Sequence, residues 1–252
     1  MPRRALIVGL GLIGGAAGMA LRGRGWHVAY ADPHVDEHDA RAAGAANGRG
    51  TLDDGDHDLI ILATPVDVAV ELLAGATLTG PLITSVCSVM RPLRAVAKGG
   101  FIAGHPLAGS ETHGLGGARA DLFEGRKWFV DGEHDLVDAL IRDCGAEKIV
   151  VPAEEHDEAL ALTSHLPQVL STALAAALTD DDVERFAGAG LATFLRLAGS
   201  DASVWAPILA ANRDNIRAHF DRVVEIARSL IEDVPAEAFR RANEAHARLA
   251  AR

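Results

Sequence analysis

Residues 5–14 read Ala5-Leu6-Ile7-Val8-Gly9-Leu10-Gly11-Leu12-Ile13-Gly14. A short apolar run that feeds three glycines, spaced Gly-x-Gly-x-x-Gly, and then a helical pattern over 12–21 is the start of a dinucleotide-binding βαβ unit. Each glycine has its own physical task there. Gly9 permits the tight turn, Gly11 lets backbone approach a pyrophosphate, and Gly14 lets helix and strand pack closely. The phosphates then meet the helix N-terminus, where Leu12 and Ile13 begin the helix and unpaired N–H groups favour anions.

The motif alone is weak. The second apolar run, Val28-Ala29-Tyr30-Ala31, strengthens it by ending in Asp32, close to the spacing expected of the acidic residue that binds the adenine ribose. A carboxylate there accepts from the ribose hydroxyls and repels a 2′-phosphate. Pro33 and His34, rather than an arginine, follow it. NAD is therefore the expected cofactor, in preference to NADP. Thr64-Pro65, after the run at 59–63, marks another strand's carboxyl end, where such sheets bind ligands; Pro65 is equally suited to starting a helix.

Outward from this unit the chain reads as two halves. Apolar runs at 5–8, 27–31, 59–63, 82–86, 101–103, 128–130 and 148–151 alternate with helical patterns. They predict an α/β Rossmann fold, a mostly parallel doubly wound sheet, over residues 1–152. Strand-like runs then vanish, and Ala- and Leu-rich stretches at 154–178, 183–198, 203–231 and 235–250 predict an all-α substrate and dimerisation domain over 153–252. The apolar surface of these helices leads us to expect a homodimer.

Composition narrows the function classes. Of the 252 residues 49% are hydrophobic and 23% charged, the balance of a globular protein, and the net charge of -11 repels a phosphate backbone. No cluster of Lys and Arg offsets it, so no nucleic-acid partner is expected. No apolar stretch approaches the roughly 20 residues of a membrane helix and the start does not read as a secretory signal, so a cytoplasmic protein is expected. The two cysteines, Cys87 and Cys144, offer no disulfide framework. His34, His38 and His57 lie among acids but match no ligand spacing, and no metal is expected.

The candidate chemistry sits beyond the first half of the sheet, at Gly104-His105-Pro106-Leu107-Ala108-Gly109-Ser110-Glu111. An imidazole titrates at about pH 6.5 when unperturbed, which suits it to take the proton of a hydroxyl whose carbon loses hydride. By residue type alone, a histidine in a glycine-flanked loop is more often a turn residue than a base.

Together with Leu122-Phe123-Glu124-Gly125, and with His156-Asp157 leading to Ser164-His165-Leu166-Pro167, this segment resembles the prephenate/arogenate dehydrogenases of tyrosine biosynthesis. The resemblance runs from Leu6 to about Ile216, with the motifs in the right order. It implies a Rossmann domain followed by a helical dimerisation domain, and an NAD-dependent oxidative decarboxylation of prephenate to 4-hydroxyphenylpyruvate. By the same resemblance His105 takes the proton from the ring hydroxyl, and Ser88 hydrogen-bonds the imidazole and the substrate hydroxyl. Arg196 holds a substrate carboxylate, Glu111 stands at the site entrance beside Ser110, and His165, Gln168 and Trp205 line the substrate site.

Three positions depart from the family pattern. Met90 stands where the family has Lys, and Arg91 and Arg94 are the nearest cations in sequence. Gln168 stands where the family often has His. The segment 191–195, before Arg196, lacks a customary acidic residue. The departures leave arogenate, or an amino-substituted prephenate, as alternative substrates, and a non-catalytic NAD-binding sensor as the alternative function. A β-hydroxyacid or imine reductase would place a catalytic Lys in the helical half, and no Lys follows Lys148. With the helices ending near residue 252, no appended regulatory module is expected.

Overall fold

The computed structural model of the chain describes residues 1–75, 81–109, 112–178 and 185–251. Six parallel strands form the main sheet: β1 (Arg4–Val8), β2 (His27–Ala31), β3 (Gly48–Arg49), β4 (Leu59–Leu62), β5 (Leu82–Ser85) and β6 (Phe101–Ile102), in the order β3-β2-β1-β4-β5-β6. β1 is central, paired Leu6 to Ala29 on one side and Leu6 to Ile60 on the other. Strand order reverses between β1 and β4, which opens the crevice where doubly wound sheets take ligands.

Side chains alternate across this sheet, so each strand feeds two cores. Ala5, Ile7, Val28, Tyr30, Leu59 and Ile61 face one, with Ala16, Ala17 and Leu21 of helix α1 (Leu12–Gly23). Leu6, Val8, Ala29, Ile60, Leu62 and Ile83 face the other, with Val66, Ala69 and Leu73 of α3 (Val66–Gly75) and Leu93 of α4 (Arg91–Val96). The short helix α2 (Glu37–Ala42) lies between β2 and β3 and is capped by Asp36, whose carboxylate accepts from the Asp39 amide. Burial on both faces explains why the strands read as near-continuous apolar runs.

Two strand expectations need correction. The runs near 128 and 148 do not extend the parallel sheet. They form a separate three-stranded sheet, β7 (Gly104–Pro106), β8 (Lys127–Val130) and β9 (Glu147–Val150), in which β7 and β8 are antiparallel. The chain leaves β6 at Ile102 and enters β7 at Gly104, so the run at 101–103 supplies an edge of one sheet and a lead into the next. Helix α5 (Asp135–Asp143) covers this region with Val137, Leu140 and Ile141.

The helical stretches are also subdivided. The span 154–178 breaks into α6 (Ala153–Leu160), a π-turn (Ala161–His165) and α7 (Leu166–Ala177). Pro167 explains the break: it lacks the N–H that would bond the Thr163 carbonyl, and its ring crowds that oxygen. The span 203–231 divides at Asn212 into α9 (Ala202–Ala211) and α10 (Arg213–Glu232). Before these lie α8 (Ala189–Leu195) and a 3₁₀ turn (Arg196–Gly199), and α11 (Ala236–Ala250) follows.

The chain forms two compact units, Met1–Ala159 with Asp201–Ala211, and Leu160–Ser200 with Asn212–Arg252. The expected contiguous boundary at 152/153 therefore differs from the packing. α6 up to Ala159 belongs with the α/β unit, where Ala153 is in the core, and α9 returns to that unit to pack Ile208 and Ala211 against it. No helix among the described residues is long and apolar enough to cross a membrane.

Candidate active site

The glycine loop folds as its chemistry requires. Gly9 has φ +93, and a Cβ there would lie 2.6 Å from the Ala63 carbonyl oxygen, so the carboxyl ends of β1 and β4 meet at van der Waals distance. A Cβ on Gly14 would lie 2.0 Å from the Gly9 oxygen, whereas one on Gly11 would meet nothing within 4 Å. Two glycines are thus needed for close packing and the third faces open space. Gly11 caps α1 without a side chain, which leaves the helix start accessible to an anion. These features fit a dinucleotide pyrophosphate held by Gly11, Leu12 and Ile13.

Asp32 is fixed at the end of β2. One carboxylate oxygen accepts the Leu10 amide at 2.7 Å and the other accepts the His34 amide at 2.8 Å. The acidic residue is therefore tied directly to the glycine loop. Thr64 is half-buried after β4, and Pro65 starts α3, its carbonyl accepting from Ala69. Pro65 thus opens a helix, and Thr64 stands at the carboxyl end of β4. Beside them, burial pushes the Cys87 thiol up to about 12, which makes it a packing residue rather than a nucleophile at neutral pH.

His105 is the middle residue of β7, opposite Phe129 of β8, and only 8% of its surface is exposed. Its Nδ1 lies 3.0 Å from Nε2 of His156, and His156 Nδ1 lies 2.8 Å from Asp157 Oδ1. The same carboxylate accepts the Met90 amide at 2.9 Å and the Arg91 amide at 2.8 Å. Met90 stands at the cap of α4 and has no side-chain acceptor to close that helix; Asp157, reaching from α6, supplies one. The His105 ring, the His156–Asp157 pair and the start of α4 form one buried hydrogen-bonded assembly. His156 also packs edge-on against Phe129, 5.4 Å between centroids.

Ser88 is half-buried in the segment between β5 and α4. That segment is stitched to the active strand by Ser85, whose hydroxyl accepts the Gly104 amide at 3.1 Å and donates to the Gly104 carbonyl at 3.3 Å. Met90, in the family's Lys position, is fully buried in the second core. Arg94 does not replace the missing cation. It is held by Asp131 at 2.6 Å and donates to the Phe101 carbonyl.

In the second unit His165 closes the π-turn and is buried, as is Gln168 in the first turn of α7. The amide of Asn212 lies 3.1 Å from His165 Nδ1, and Asn215 donates to the Asn212 carbonyl oxygen at 2.9 Å. The two asparagine amides thus form a chain that ends on the His165 ring. Gln168 donates to the Leu197 carbonyl at 2.8 Å and to Thr172 at 3.1 Å, and accepts from Ser200 at 3.4 Å. Its amide therefore braces the turn that carries Arg196. Arg196 itself is exposed. Trp205 is half-buried in α9, in the α/β unit. Ser110 and Glu111 lie outside the described residues.

The residues that single positions did not reveal are His156, Asp157, Asn212 and Ser200. An adjacent His-Asp pair on a helix was visible as a motif, yet its partners lie 51 and 67 positions away, and two of them are backbone amides. No group of three or more His, Cys, Asp or Glu side chains among the described residues is placed to hold a metal.

Comparison with known proteins places these features in one family. Residues 17–143 match the model of the prephenate dehydrogenase nucleotide-binding domain, and residues 152–244 match that of the prephenate dehydrogenase dimerization domain. A probable prephenate dehydrogenase of Streptomyces niveus is 32% identical over 251 residues, covering 91% of this chain and 68% of that protein. The prephenate dehydrogenase of Lactococcus lactis subsp. cremoris is 28% identical over 250 residues, 88% of this chain and 70% of that protein. Among solved structures, prephenate dehydrogenase from Aquifex aeolicus in complex with hydroxyphenyl propionate and NAD+ superposes with a TM-score of 0.84 over 99% of each chain. At 23% identity that likeness speaks for the fold. The two family models together match well over half of the chain, which belongs to the prephenate dehydrogenase family.

Proposed function

We propose that this chain is an NAD-dependent prephenate dehydrogenase that forms 4-hydroxyphenylpyruvate and carbon dioxide. NAD, when bound, supplies the hydride acceptor. The observation that carries the reading is His105, held at Nδ1 by His156 across 3.0 Å in the sheet that follows a glycine loop fitted for a dinucleotide.

The chain's own residues divide the work. Gly9, Gly11 and Gly14 shape the phosphate cradle, Leu12 and Ile13 present helix-start amides, and Asp32 accepts from the ribose hydroxyls. Thr64 and Pro65 border the crevice at the end of β4. His105 takes the proton of the ring hydroxyl as hydride leaves the same carbon, and Ser88 orients that hydroxyl. The electrons of the breaking bond to the ring carboxylate aromatise the ring and place charge on the ring oxygen, which takes the proton back from His105, and the carboxylate departs as carbon dioxide. Arg196 binds a substrate carboxylate through two parallel N–H···O bonds, a geometry that Lys cannot reproduce. His165 adds a hydrogen bond to the substrate and Trp205 adds apolar surface; Ser110 and Glu111 are given to the substrate site by the family resemblance alone.

The helical unit pairs with a second copy to form a homodimer. Among its described residues only Leu160, Ala161, Leu166 and Ile216 are buried apolar side chains, while Phe186, Phe194, Ile231, Val234, Phe239 and Leu249 are exposed. Helices with so little core of their own need a partner to cover them. The dimerization-domain match over 152–244 supports the same reading.

The test is NADH formation at 340 nm with purified protein, using prephenate and arogenate, each with NAD and NADP. Turnover of prephenate with NAD is expected. Turnover of arogenate alone would replace the substrate assignment. Absence of turnover in every combination, in folded protein that binds NAD, would favour the sensor.

A further inference from the structure

We propose that His156 and Asp157 are positioning residues that fix His105 as the Nδ1–H tautomer, so that Nε2 is the nitrogen that accepts the substrate proton. The inference rests on His105 acting as the base, and adds what makes it one.

Asp157 is fully buried, and its two oxygens receive the Met90 and Arg91 amides, donors that can only be met by acceptors. A carboxylate that accepts at both oxygens offers no proton, so the 2.8 Å bond between His156 Nδ1 and Asp157 Oδ1 requires the proton on His156 Nδ1. A neutral His156 then presents a lone pair at Nε2. The 3.0 Å bond from that atom to His105 Nδ1 must be donated by His105. With Nδ1 protonated, the lone pair of the neutral His105 ring lies on Nε2.

The rings are held for this purpose. His105 and His156 meet edge-to-face at 85° with centroids 5.1 Å apart, and Phe129, opposite His105 across the strand pair, packs against His156. His156 is 1% exposed, so water does not compete for its nitrogens. When His105 takes up a proton, the new imidazolium keeps donating to His156 Nε2, with the Asp157 carboxylate one ring beyond. A charge appearing in a buried site is thereby met by groups already oriented towards it. The Met90 position gains meaning as well. The start of α4 is held by a carboxylate that also directs the base, so the Ser88 segment and the His105 ring are placed by one anchor.

The direct test is long-range ¹H–¹⁵N NMR on ¹⁵N-histidine-labelled protein, with the His105 ring assigned by its loss in His105→Gln. The Nδ1–H tautomer is expected, and an Nε2–H tautomer overturns the proposal. Kinetics add a second reading. His156→Phe should lower kcat on the order of 10²-fold with substrate KM within about threefold. His156→Gln, whose side-chain oxygen can stand near Nε2 and accept, should recover at least about tenfold of that loss. Equal defects in the two variants, or a kcat within about threefold of wild type in His156→Phe, would contradict the relay. Should His156→Phe fail to fold, the tautomer of the wild-type ring still decides. Should the wild-type protein turn over neither prephenate nor arogenate, the functional reading fails, and the tautomer still reports on the relay by itself.

Discussion

Gln168 donates its side-chain amide to the Leu197 carbonyl across 2.8 Å, which ties the turn carrying Arg196 to the first turn of α7. An exposed arginine can offer a bidentate fork to a carboxylate only if its backbone is held still, and this bond holds it. Gln168→Ala removes three buried hydrogen bonds and leaves the Leu197 carbonyl unmet. We expect prephenate KM to rise about tenfold with kcat within about threefold, and stability to fall by about 1–3 kcal/mol. Arg196→Lys should raise KM by about 10–100-fold without a stability change, since charge is kept and the fork is lost. Steady-state kinetics and thermal melts separate the two effects.

The glycine loop yields a contrasting pair. Gly11→Ala places a methyl in open space at an ordinary φ of -77, so the melting temperature should stay within about 2 °C. The same methyl occupies the space a pyrophosphate would approach, and NAD affinity should fall at least about tenfold by fluorescence titration. Gly14→Ala drives a methyl to 2.0 Å from the Gly9 oxygen and should cost at least about 2 kcal/mol of stability. Equal melting losses in both variants would contradict this division of labour.

Asp32 tests the cofactor reading. Its carboxylate accepts the Leu10 amide, and in the proposed function it also repels a 2′-phosphate. Asp32→Asn keeps an acceptor for the loop and removes the charge. The ratio of kcat/KM for NAD over NADP should fall at least about tenfold, most of the change appearing in KM.

The helical unit predicts its own partner. Light scattering should return twice 26.4 kDa. The double variant Ile231→Asp, Phe239→Asp places charge on two exposed apolar positions, 82% and 54% accessible, and should shift the mass towards one copy. A single-copy mass for the wild-type chain would contradict the dimer.

Much of the nucleotide half was legible because its signals are local. Three glycines and Asp32 sit within 24 positions, and the strand, turn and helix they belong to are marked by residue type and spacing alone. The antiparallel pairing of β7 was not legible, since a three-residue strand carries no usable period. Nor was the return of α9 to the first unit: amphipathic spacing says that a face will be buried, not against which core. The partners of Gln168 were illegible for a related reason. Its residue type offers donors and acceptors, but only the fold shows that Leu197, Thr172 and Ser200 take them up.

The central claim is that the imidazole of His105 accepts the substrate proton, and His105→Asn tests it most directly. Asparagine fits the strand and cannot act as a base near neutral pH. With NAD binding confirmed by titration, kcat for prephenate should fall on the order of 10³-fold while the NAD dissociation constant stays within about twofold. Turnover within tenfold of wild type in that variant would contradict the account.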